Sequence, residues 1–153
     1  DLFLDEYDGN FTLIGSGWKI NELKNKSKIN YLGSLYGEKI YDFYRRAICC
    51  LGLLMESIDG VNEGDEVTCR SLMVPAYGGV LLHPSNPSSE KLYGSGNFCL
   101  YNNISEASEK ANMLVSDPSL RLKVFKEQHE EVISKADYVE DFVSEIVKLS
   151  SEN

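Results

Sequence analysis

Two adjacent carboxylates, Asp65 and Glu66, stand directly before a segment whose apolar residues Leu72, Met73 and Ala76 have helical spacing. That segment runs through Gly78-Gly79 into the apolar run Val80-Leu81-Leu82. The order is acidic loop, helix, glycine stop, buried strand. A helix placed this way turns unpaired backbone N–H groups and the positive end of its dipole toward the preceding loop, where anions bind. The two acids can act as an acid–base pair only if held about 5–10 Å apart around a substrate. As chain neighbours they read better as loop solvation or as plain hydrogen-bond acceptors.

Two further turns carry chemical meaning. Phe11-Thr12-Leu13-Ile14 has strand composition and stops at Gly15-Ser16-Gly17-Trp18; Ile29-Asn30-Tyr31-Leu32 is a second short strand, ended by Gly33-Ser34. Glycine straight after a strand lets backbone approach a ligand closely, which a phosphate- or nucleotide-facing loop needs, although the same signal also marks an ordinary turn. The only histidines are His83, in the loop after the buried strand, and His129, on a charged helix face. His83 is within reach of a ligand at that rim, but a loop histidine without a role fits as well.

The four cysteines make no metal or dithiol pattern: Cys49-Cys50 are adjacent in an apolar run, Cys69 and Cys99 are isolated, and no C-x-x-C occurs. They read as buried free thiols in a reducing compartment. Neither a metal nor another cofactor is implied.

The elements that would position these residues alternate. The region 36–47 has a helical stripe at Ile40, Phe43 and Tyr44, and the run 48–54 is apolar throughout, as in a central parallel strand. Residues 97–101 form a further strand, and 90–93 a helical turn. From Ile104 onward the signals are helical. Ser105 with Ser108-Glu109 supplies capping candidates, Asp117-Pro118 opens a helix, and the last helix is amphipathic through Val139, Phe142, Val143, Ile146 and Val147. Strands alternating with helices predict an α/β, three-layer Rossmann-like domain with a mainly parallel sheet of about five strands and C-terminal helices. The glycine turns and the acidic loop 63–66 then share the carboxyl edge of the sheet, where such folds bind ligands.

The 153 residues suit one domain, 1–153, without repeat or linker. A net charge of -9 argues against general affinity for nucleic acid or anionic membranes. Eleven of the 24 acids follow Asn102, so the excess reads as a solvated acidic face of the C-terminal helices. No membrane-spanning run or signal sequence is visible, and the chain reads as cytoplasmic. It opens at Asp1 without Met, already in a helix-like pattern, which reads as a fragment of something longer.

Taken together, the motifs resemble the C-terminal, donor-binding lobe of two-lobed (GT-B) glycosyltransferases of the CgeB-like, group 1 type. The matching elements are Leu13-Ile14-Gly15-Ser16-Gly17-Trp18, Tyr31-Leu32-Gly33, Tyr36-Gly37-Glu38, the apolar run 48–54, Thr68-Cys69-Arg70 through Gly78-Gly79-Val80-Leu81-Leu82, and Ser116-Asp117-Pro118-Ser119-Leu120-Arg121. The resemblance covers nearly the whole chain. It implies a nucleoside-diphosphate sugar as ligand, with Gly15, Ser16 and Gly17 near the phosphates and sugar and Ser34, Leu35 and Tyr36 near the base. Asp65 and Glu66, the N–H groups of Val67 and Thr68, the Thr68 hydroxyl and Arg70 would hold the diphosphate and sugar. It also implies a missing N-terminal lobe that supplies the acceptor site and catalytic base, so no catalytic residue is assigned to this chain.

One position departs from the family pattern. An acidic residue, seven others and a Glu that grips the ribose are usual; here Asp65 fills the first place and Met73 the second. A thioether cannot accept two strong hydrogen bonds, and Met73 reads better as a core residue. Two alternatives therefore stand beside the donor-binding reading: a degenerate, non-catalytic sugar- or partner-binding module, and an unrelated doubly wound nucleotide-binding or signalling domain.

Overall fold

The computed structural model describes residues 2–53 and 66–135. Asp65 and the stripe from Val139 to Val147 lie outside the described residues. Helix α1 (Leu2–Glu6) leads into β1 (Phe11–Leu13) and, after two 3-10 turns, β2 (Ile29–Tyr31). Helix α2 (Glu38–Arg46), β3 (Cys50–Leu51), α3 (Cys69–Ala76), β4 (Leu81–Pro84), α4 (Pro87–Tyr93) and β5 (Leu100–Tyr101) follow. Helices α5 (Ile104–Ser116) and α6 (Pro118–Ser134) close the described chain.

The five strands form two sheets, β1-β2 and β3-β4-β5, and every pairing is parallel. Phe11 pairs with Ile29, Cys50 with Leu81 and His83 with Leu100. The strand period of two separates the faces of β4. Val80 and Leu82 pack with Phe3, Tyr7, Ala107, Ala111 and Leu114, beneath α1 and α5. Leu81 points the other way, to Tyr44 and Val74 of α2 and α3. Helices thus cover both faces of the three-stranded sheet, the three-layer arrangement the strand–helix alternation predicts. Phe11 and Ile29 pack against the first cluster, so both sheets share one core.

Local hydrogen bonds explain where elements differ from expectation. The strand predicted over 97–101 shrinks to its last two residues because the Cys99 N–H donates to Asn97 Oδ1 (2.9 Å) and the Leu100 N–H to Asn97 O (3.0 Å). The helical turn at 90–93 is a full helix from Pro87, because Asn86 Oδ1 accepts the Ser89 N–H at 2.8 Å and proline sits in the first turn. Asn103, not Ser105, caps α5 by accepting the Glu106 N–H at 2.9 Å. Asp117 caps α6 as expected, accepting from Ser119 and Leu120 at 2.9 and 3.0 Å.

Helix α6 is tied into the sheet by an unusual device. Gln128, fully buried, accepts the Leu81 N–H (2.8 Å) and donates to Leu81 O (2.9 Å), meeting β4 as a neighbouring strand would. Cys49 and Cys50 are partly buried and Cys99 is buried, and burial pushes all three thiols up to about 12. Cys69 corrects the buried-thiol expectation: it sits exposed at the start of α3.

Candidate functional site

Strands β1 and β2 end side by side, which brings the two glycine turns together. The Leu32 N–H donates to Leu13 O (3.1 Å), and one step further the Gly15 N–H donates to Gly33 O (2.8 Å). The backbone takes φ +132° at Gly15 and +68° at Gly33, a region that an L side chain makes strained. The Tyr31 hydroxyl donates to Gly15 O at 2.9 Å, and the Trp18 indole lies beside the same turn. Ser16 and Gly17 stay exposed. Just beyond, Ser34, Leu35 and Tyr36 line an open depression of about 440 Å³ with Glu38 and Lys39. Tyr36 is 79% exposed, so its ring is free to lie against a flat partner.

The second group gathers at the carboxyl end of β4. Helix α3 begins at Cys69 with Thr68 as its N-cap, so Glu66 and Val67 lie just ahead of it. The Thr68 N–H, expected to be open to an anion, donates instead to Ser71 Oγ at 2.9 Å. Val67 and Arg70 are exposed, and Arg70 Nη2 donates to Leu53 O at 3.3 Å. Glu66 faces α4: its backbone carbonyl accepts from Asn86 Nδ2 at 2.8 Å, and its carboxylate accepts the Ser88 hydroxyl. Met73 is half-buried against Tyr44, Val74 and Leu81, the core role its spacing predicts.

His83 is the residue that sequence reasoning undervalued. It lies in β4 rather than in a loop, 1% exposed, with Nε2 2.9 Å from Ser71 Oγ and Nδ1 2.8 Å from Pro84 O. A carbonyl can only accept, so Nδ1 carries the proton and Nε2 accepts from the Ser71 hydroxyl. Burial holds the imidazole below its ordinary pKa, Arg70 pushes the same way, and the bond to Pro84 opposes them. The result is a one-directional chain from the Thr68 N–H through Ser71 and neutral His83 to Pro84. The Tyr93 hydroxyl closes the network on Ser71 O. A signal for it exists in the paired spellings Thr68-x-x-Ser71 and Asn86-x-x-Ser89, both with serine in the third helical position. His129, expected on a charged face, bonds through Nδ1 to Pro75 O at 2.8 Å and stacks on Phe125.

Each group is internally joined, but no hydrogen bond among the described residues links the glycine turns to the start of α3. No group of three or more His, Cys, Asp or Glu side chains among the described residues is placed to hold a metal ion. No described helix is long and apolar enough to cross a membrane.

Neither the curated proteins nor the solved structures contain a match to this chain. The family model described as glycosyl transferase-like matches residues 2–143, across both sheets and both groups of rim residues. With that match spanning nearly all of the chain and parallel strands ending in the joined glycine turns, the chain belongs to the glycosyl transferase-like family.

Proposed function

We propose that the chain is the donor-binding domain of a glycosyltransferase and holds a nucleoside-diphosphate sugar at the carboxyl edge of its sheets. The Gly15 N–H to Gly33 O bond carries the reading. It draws two glycine turns onto one rim, where backbone can approach a phosphate or sugar, and sets the Ser34-Leu35-Tyr36 depression next to them. Gly15, Ser16 and Gly17 face the phosphates and sugar, and Tyr36 offers a face for the base.

At the second group, the Thr68 hydroxyl, the Arg70 guanidinium and the backbone near Val67 hold the diphosphate, with Asp65 and Glu66 near the sugar. As the glycosidic bond breaks, negative charge grows on the leaving diphosphate, and donors already aimed there stabilise it. The acceptor and the catalytic base come from a separate N-terminal lobe. In a thermal-shift series, UDP or GDP raises the Tm of this chain, and Arg70→Ala abolishes the rise. A Tm unmoved by every nucleoside diphosphate sinks the reading.

Met73 favours a second reading, a non-catalytic sugar- or partner-binding module of the same fold. Its half-buried thioether packs on Tyr44 and Val74 instead of offering a carboxylate to a ribose. Met73→Glu separates the two. A gain of nucleotide binding marks a surviving donor site with a lost ribose grip, and no gain favours the module.

A further inference from the structure

The Ser71–His83 pair does work that the donor reading does not assign. Ser71 Oγ has two duties at one point: it accepts the Thr68 N–H and donates to His83 Nε2. A hydroxyl has one proton, so the second duty requires an acceptor in the core, and neutral His83 is that acceptor. His83 is itself immobilised by β4 pairing, its N–H donating to Cys99 O at 2.8 Å, and by its Nδ1 bond to Pro84 O. Ser71 is 0% exposed, so no water replaces a missing partner.

We propose that His83 is a positioning residue that, through Ser71, fixes where α3 begins and so aims Thr68 and Arg70 at the donor phosphates. The phosphate half of this statement rests on the donor-binding reading; the helix-start half does not. If His83 takes up a second proton, Nε2 becomes a donor, Ser71 Oγ must accept from both sides, and its own proton loses its acceptor. With two lone pairs Oγ can still accept the Thr68 N–H, but its own buried proton is left without a partner, and that cost loosens the start of α3. Ser71 from α3 and the Tyr93 ring from α4, 5.9 Å between centroids, face the imidazole, and the charge of Arg70 on α3 acts on it. The only charge among them, Arg70, disfavours the protonated form.

The test uses amide hydrogen exchange by NMR on the full chain, with imidazole nitrogen shifts to read the tautomer. In the wild type, His83 shows the Nδ1–H form and Thr68 is protected. His83→Phe and Ser71→Ala lower the Thr68 protection factor about five- to tenfold, the size expected for one lost helix cap. His83→Gln, whose amide oxygen can reach the Nε2 position, restores most of it, which general damage to the core would not. Should His83→Phe fail to fold, Ser71→Ala and the wild type at acid pH give the same comparison. Unchanged Thr68 protection in Ser71→Ala, or a wild-type Nε2–H tautomer, overturns the proposal. UDP affinity is measured alongside and falls in step with Thr68 protection. Wild-type chain that binds no nucleoside diphosphate removes the donor reading and the phosphate half, while the exchange data still decide the helix start.

Discussion

The rims of the two sheets are built by opposite means. Beyond β1 and β2 the backbone itself makes the shape, through glycines at positive φ joined by one main-chain bond, and most side chains there are exposed. Beyond β4 the shape comes from side chains sealed inside: Ser71, His83, Ser89 and Tyr93 are all nearly inaccessible to water. The first rim is open, with backbone within reach of a ligand. The second is fixed by bonds that water cannot substitute, suited to holding a charge-bearing helix end at one angle. The donor site proposed above would use both, one to admit the sugar nucleotide and one to keep the phosphate contacts aligned.

Substitutions can push each side of this contrast. The largest loss is expected from Gln128→Leu, which leaves both backbone groups of Leu81 unpaired in the core; urea unfolding should show a fall of about 2–5 kcal/mol. Next, Gly33→Ala forces a side chain into the left-handed region. It should cost about 1–2 kcal/mol in the same assay and remove any nucleotide-induced Tm rise. If Gly33→Ala destabilised the chain as much as Gln128→Leu, the backbone-shaped rim would be no more tolerant than the sealed one.

The pH response follows His83. Its folded pKa lies below the ordinary 6.5, so the unfolded chain takes up the proton first. Its contribution to stability is complete above about pH 6.5 and is lost as pH falls through the folded pKa. Urea midpoints of wild type should therefore drop more steeply from pH 7 to 5 than those of His83→Gln; parallel slopes would deny the histidine this role. The smallest effect belongs to Tyr31→Phe, which removes one half-exposed bond to Gly15 O and should lower stability by less than about 1 kcal/mol.

The contrast also explains what could be read from the sequence. Glycine turns after apolar strands are local signals, and the structure places Gly15 and Gly33 together as that reading expects. Asp117-Pro118 is equally local and equally plain. What escaped were bonds between residues distant in the chain: Ser71 with His83, Gln128 with Leu81 and His129 with Pro75. Periodicity cannot distinguish a histidine at the end of a buried strand from one in the next loop, and only the partner across the fold decides it.

The Gln128 amide has one more consequence. Leu81 N–H and O are the groups through which a foreign strand would add to β4 ahead of the point where β5 takes over. A carboxamide from α6 already occupies both, so this gap in the ladder is closed to strand invasion and to edge-to-edge self-association. Loosening α6 would unmask it, and aggregation should then begin at β4 before the rest of the domain has come apart.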